Sequence, residues 1–171
     1  MLRSVIAKYL PDLIFGANDG VITTLAVVSG VVGASLSPAV ILILGFANLL
    51  ADGFSMGASN VLSRRSHAGH GNLPPFSVAS WHGLATFLGF VIAGVVPLLA
   101  YCFPLPKDIQ FEVAGLLALG TLFLVGASRA AFTKRAWLPS GMEMLVLGSV
   151  AAAIAYGIGA IGAAVIRQSG P

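Results

Sequence analysis

The sequence predicts an all-α integral membrane protein of five transmembrane helices, with its N-terminus in the cytosol and its C-terminus outside. Three observations carry that prediction. Of 171 residues 57% are apolar and 9% charged, against roughly 25% charged in an ordinary soluble domain, and the mean hydropathy is +0.96. Five stretches reach the ~20 predominantly apolar residues that a spanning helix needs. Lys and Arg gather on one side of the connections between them, which sets orientation. No composition shift marks a linker, so residues 1–171 are expected to form one domain.

The first span is expected at 12–34. It follows basic residues but no apolar segment with a small-residue cleavage site, so it is expected to be retained rather than removed as a signal peptide. Ser35 to Pro38 punctuate the chain before the second span, 38–62. A Gly/Pro-rich connection, 63–79, precedes the third span, 80–103, which Pro97 is expected to bend. Pro104 and Pro106 stand before the fourth span, 109–128, and the fifth covers 141–166. On the side holding the N-terminus lie Arg3, Lys8, Arg64, Arg65, Arg129, Lys134 and Arg135, against Lys107 and Arg167 on the other. That bias puts the first group in the cytosol. Tyr9, Trp81, Trp137 and Tyr101 fit an aromatic belt at the two interfaces.

The formal net charge of +3 comes from these topology signals, so nucleic acid is not an expected partner. Cys102 is the single cysteine, which excludes an intrachain disulfide. No hydrolase elbow, phosphate-cradling loop or paired-cysteine metal motif occurs. Gly157, Gly159 and Gly162 form a G-x-G-x-x-G inside an apolar span with no strand before it, which reads as helix packing. The paired Glu-x-x-His ligands of di-iron bundles are missing, and no enzymatic activity is expected.

Carboxylates inside apolar spans demand an explanation, because an ionisable group there is costly and by default marks an ion or substrate path. Asp12 and Asp19 are seven residues apart on one face of the first span, separated by about 10 Å along the axis. In the second span Asn48, Asp52, Met56 and Asn60 recur every fourth residue on one face. Counting back from the end of that span puts Met56 at the depth of Asp19, with Asp52 one turn deeper. Gly16 and Gly20 bracket Asp19, and Gly53 and Gly57 bracket Met56; such small residues permit close helix approach and are expected to bring the first span against the second. Carboxylate oxygen suits harder ions and thioether softer ones, so the mixture points to a ferrous-type divalent ion, with manganese, cobalt and zinc open on chemistry alone. Bland alternatives stand beside this. Asp12 fits a first-turn residue facing the helix dipole, Asp19 a structural bond to Thr23, Asp52 an interhelical hydrogen bond and Met56 core filler.

Secondary candidates are weaker. Glu112 and Glu143 lie near the starts of the fourth and fifth spans, where a dipole or interfacial role competes with ion binding. Met142 and Met144 flank Glu143 and suggest ion capture at that face. His82 heads the third span as a proton shuttle or an interfacial residue, and His67 and His70 form an H-x-x-H in the second connection.

The stretch Asp12-Leu13-Ile14-Phe15-Gly16-Ala17-Asn18-Asp19-Gly20, with Thr23-Thr24-Leu25, Val28-Ser29-Gly30-Val31 and Asp52-Gly53-Phe54-Ser55-Met56, resembles the vacuolar iron transporter (VIT) family. Val96-Pro97-Leu98-Leu99 and Glu143-Met144-Leu145 extend the likeness over nearly the whole chain. The resemblance implies a five-helix homodimer with an ion path at the subunit interface, between first and second helices. It implies export of Fe2+ or Mn2+ from the cytosol in exchange for H+, with no permanently bound cofactor. On matching positions Asp12 resembles an entrance carboxylate, Asp19 a central one and Met56 a pore methionine. Asn48 stands where some members carry a glutamate, and Asp52 is acidic where those members have a small residue. Full-pattern transporters carry a long glutamate-rich insert in the second connection, whereas here only residues 63–79 remain. That is similar to the short, nodulin-like or bacterial branch, implying a bacterial inner membrane, or the vacuolar membrane in a eukaryote. A passive cation channel and a membrane scaffold are the alternative functions.

Overall fold

Hydropathy marks the part of a helix that lies in hydrocarbon, but a helix once nucleated propagates by adding a bond per residue. The observed helices accordingly run past the apolar stretches into the polar ends. The computed structural model describes residues 2–66, 73–131 and 136–168. It contains α1 (Leu2–Gly33), α2 (Pro38–Ser66), α3 (Phe76–Cys102), α4 (Gln110–Ser128), a 3-10 turn (Arg129–Ala131) and α5 (Trp137–Gln168). All five α-helices are long and apolar enough to cross a membrane. His67, His70, Lys134 and Arg135 lie outside the described residues.

The largest shift is at the start: α1 begins at Leu2, not near Asp12, and Pro11 sits inside it. Proline has no N–H to give the carbonyl four residues back, yet the helix continues. Asp12 therefore stands in the third turn, and the first-turn dipole reading of it is overturned. α2 likewise continues to Ser66, one turn past the expected end.

α1 packs against all four other helices, and α3 packs against α1, α2 and α4. The buried residues of α3 include His82, Gly83, Thr86, Gly89, Phe90, Ala93, Gly94, Pro97 and Leu98. Gly16 and Gly20 of α1 lie against the backbone of α3 at Thr86 and Phe90, and Gly89 of α3 lies against α1 at Leu13. On α2, Gly53 meets Phe87, Phe90 and Val91, while Gly57 and Gly83 face each other backbone to backbone. Both glycine pairs thus close on α3 rather than closing α1 on α2 as the sequence suggested. Spacing announces a close approach but does not name the partner. Farther along α1, Gly30 and Gly33 receive α5 at Gly159 and Tyr156, and α4 meets α5 through Gly126, Gly141 and Gly148.

Between these contacts lies an apolar interior built on Val21, Leu25, Val28, Ile41, Leu49, Phe90, Leu98 and Leu122. The outer faces of α2 and α5 carry Ile43, Leu50, Phe54, Ile154, Ile158, Ile161 and Val165, a surface for lipid. Two threonine hydroxyls inside the helices are satisfied locally: Thr86 and Thr121 donate to the carbonyls of His82 and Leu117, each one turn back. Such internal pairing is what a bilayer requires of polar groups.

The α1–α2 turn has a recognisable cap. Leu36 N–H donates to the Val31 carbonyl and Ser35 N–H to that of Val32, with Ser35 at φ 58. This is the Schellman arrangement, whose left-handed position usually holds glycine. Ser35→Gly is expected to raise stability by about 1 kcal/mol by relieving the Cβ penalty, read as a higher thermal midpoint in detergent. Gly20→Ala should lower stability by on the order of 1–3 kcal/mol, because overpacking forces backbone shifts. Gly120, with nothing near its missing Cβ, is the control; Gly120→Ala should be neutral or gain up to about 1 kcal/mol.

Candidate functional site

The i+4 series on α2 that begins at Asn48 does not stop at Asn60 but reaches Arg64, and its last two members meet Asp12. Asp12 is only 5% exposed, an expensive place for a carboxylate unless it is paired and bonded. Its Oδ1 accepts from Asn60 Nδ2 at 2.8 Å and Arg64 Nη2 at 2.7 Å. Its Oδ2 is 2.6 Å from His82 Nδ1; toward a carboxylate, that nitrogen donates. Asn60 Nδ2 also donates to Thr86 Oγ1 at 2.7 Å, and Arg64 Nε to Asn60 Oδ1 at 2.8 Å. Tyr9 covers His82, ring centroids 4.7 Å apart. One carboxylate on α1 thereby joins α2 and α3.

Asp12 and Asn60 also fix the register of the two helices. Stepping inward at 1.5 Å per residue, Met56 lies about 6 Å from that bond, Asp19 about 10 Å and Asp52 about 12 Å. Asp19 is therefore closer in depth to Asp52 than to Met56, a correction of about one turn that follows because Asp12 stands well inside α1, level with Asn60, and not at the boundary of the span. Asp19 and Asp52 are both half-buried. Among the described residues neither has an ion-pair partner. Asn18, beside Asp19, holds a buried amide oxygen with no partner among the described residues.

Between the two levels runs an outward-facing groove of about 460 Å³ lined by Phe15, Ser55, Met56, Ser59, Asn60, Ser63 and Arg64. Met56 both lines it and packs against the core. Asn48 is half-buried one turn beyond Asp52. Among the described residues no three His, Cys, Asp or Glu side chains converge as a metal-holding group. A cation held here by one chain would need amide, thioether or backbone donors as well.

The secondary candidates are not brought to this face, His82 excepted. Glu143 is exposed and 3.8 Å from Arg129. Met142 is exposed beside it, but Met144 is buried in the core cluster with Val21 and Leu122, so the two methionines do not form a pair around Glu143. Helical geometry explains this: residues two apart point to nearly opposite sides. Glu112 is exposed in the first turn of α4.

Sequence reasoning took Arg64 for a topology charge and Tyr9 for a belt aromatic, and gave Thr86 no role. Arg64's place in the i+4 series was the available signal; nothing in the sequence pointed to Thr86. Asp12→Leu would leave the donors of Arg64, His82 and Asn60 without their acceptor. The expected loss is on the order of 2 kcal/mol, below that of a fully buried pair because the Arg64 side chain is 40% exposed and water screens it. Asp12→Asn, which retains an acceptor, should lose less; thermal unfolding in detergent measures both.

The sequence profile of the VIT family matches residues 10–73 and 72–160. The vacuolar iron transporter of Plasmodium berghei is 46% identical over 61 residues, covering 36% of this chain and 22% of that protein. Vacuolar iron transporter homolog 3 of Arabidopsis thaliana is 28% identical over 165 residues, covering 88% of this chain and 82% of that protein. The vacuolar iron transporter of Toxoplasma gondii is 25% identical over 225 residues, with coverage of 91% and 74%.

Proposed function

This chain belongs to the VIT family, a family of transporters rather than enzymes, and on that premise we propose that it exports a divalent transition metal from the cytosol. The substrate is ferrous iron or manganese, and protons move the other way. The relatives named as iron transporters support the choice of metal. Extensive coverage of the Arabidopsis homologue supports placement in the short branch without the cytosolic insert.

One observation carries the reading: Asp19 and Asp52, on neighbouring helices, stand at nearly the same depth inside the spans, and neither has an ion-pair partner among the described residues. Two carboxylates in a low-dielectric setting repel and are poorly solvated. A doubly charged ion relieves both problems, and so do protons. Alternate occupancy by metal and by protons is then an exchange cycle, with Met56 adding a thioether on the way in.

A second copy of the chain completes the site. Ser55, Ser59 and Ser63 are exposed along α2, with Asp52, Met56 and Asn60 half-buried beside them, a polar stripe ill suited to lipid. Paired across this face, two subunits bring four carboxylates to one path. The N-terminus lies in the cytosol by the Lys and Arg bias, and the home membrane is the bacterial inner membrane.

Purified protein in vesicles containing a metal-sensing dye tests the proposal. Wild type should load the vesicles with Fe2+ or Mn2+, faster with a pH gradient, and Asp19→Asn should slow loading roughly tenfold or more, as expected for a functional intramembrane charge. Unchanged loading by folded Asp19→Asn would remove that residue from the path, and loading indifferent to the pH gradient would leave a passive channel.

A further inference from the structure

The groove on α1 and α2 ends at Asn60 and Arg64, and Asp12 is not part of its lining. Those two side chains stand between the groove and the carboxylate. Arg64 makes two bonds there, Nη2 to Asp12 Oδ1 and Nε to Asn60 Oδ1. The orientation of the Asn60 amide is settled by its neighbours. Arg64 Nε can only donate, so it faces the amide oxygen, and the amide nitrogen then serves the two acceptors Asp12 Oδ1 and Thr86 Oγ1. His82 at 2.6 Å fixes the other carboxylate oxygen from the side of α3.

If the guanidinium swings away, two oxygens are freed together: Asp12 Oδ1 and Asn60 Oδ1, both held in place from behind. A carboxylate and a carbonyl oxygen side by side are ligands for a hard divalent cation. We propose that Asp12 Oδ1 and Asn60 Oδ1 form a divalent-cation site at the mouth of the groove, and that Arg64 occupies it as a tethered cation which the incoming metal displaces. This rests on the metal-transport reading and adds to it Asn60 as a ligand and Arg64 as the residue that sets how much metal is needed to enter. The side chain is 40% exposed, so it has water to move into.

Manganese binding to detergent-solubilised protein, followed by the electron paramagnetic resonance of free Mn2+, tests the site. A background of Asp19→Asn with Asp52→Asn confines the reading to the mouth. There Arg64→Gln should bind Mn2+ roughly tenfold more tightly, since a competing charge a few ångströms away is removed, while Arg64→Lys, which keeps the charge, should stay within about threefold of the Arg64 protein. Phenylglyoxal modification of the wild-type chain, read residue by residue by mass spectrometry, gives a measure that needs no variant. Mn2+ should speed modification of Arg64 and not of Arg167. Equal affinity of the Gln and Arg proteins, or an unchanged rate at Arg64, overturns the inference. If the protein with Asp19 and Asp52 intact still binds and transports Mn2+, the transport reading survives that failure.

Discussion

Backbone contact of α3 with α1 and α2 is the constraint from which the rest follows. Glycine at 16, 20, 53, 57, 83, 89 and 94 removes the side chains that would hold these helices apart. In a bilayer no hydrophobic force gathers helices, so such close packing has to supply the attraction. With α3 seated, Phe90 and Leu98 fill the interior with hydrocarbon. That leaves little room for a hydrated ion to travel through the middle of one subunit. Ser55, Ser59 and Ser63 of α2 face outward instead and line the groove, with the half-buried Asp19 and Asp52 farther in.

The three intramembrane carboxylates differ in what surrounds them. Asp12 is tied to a guanidinium, an imidazole and an amide, which makes it a joint between helices as well as an acceptor at the mouth. Asp19 and Asp52 stand at nearly one depth and have no ion-pair partner among the described residues. A satisfied carboxylate holds structure, and an unsatisfied pair in low dielectric holds a capacity to take up positive charge. The gradient from neutralised to unneutralised acid runs inward from the mouth.

Hydropathy made the five helices legible, because a span must be long and apolar. Their ends were less so, since polar residues such as Lys8 and Ser63 to Ser66 continue a helix that composition alone would stop. The i+4 series on α2 put Asp52, Met56 and Asn60 on one face, and of these Met56 and Asn60 line the groove; the depth of Asp19 was off by about a turn because Asp12 was put at the boundary of α1 and not well inside it. The glycine pairs announced close packing without naming α3. His82 was singled out, but its bond to Asp12 spans 70 residues and no local pattern encodes it. Met144 looked like a ligand beside Glu143 and proved to be core, a distinction that depends on which way the helix turns toward α4.

The central claim is that ions pass along the outer face of α1 and α2 rather than through the helix bundle. Anomalous scattering from crystals grown with Mn2+ locates the metal directly. A peak between Asp19 and Asp52, on the face proposed to pair with a second copy of the chain, is the predicted result. Manganese bound only among the interior residues of a single subunit, or on a lone chain whose α1 and α2 meet nothing but lipid, would contradict it.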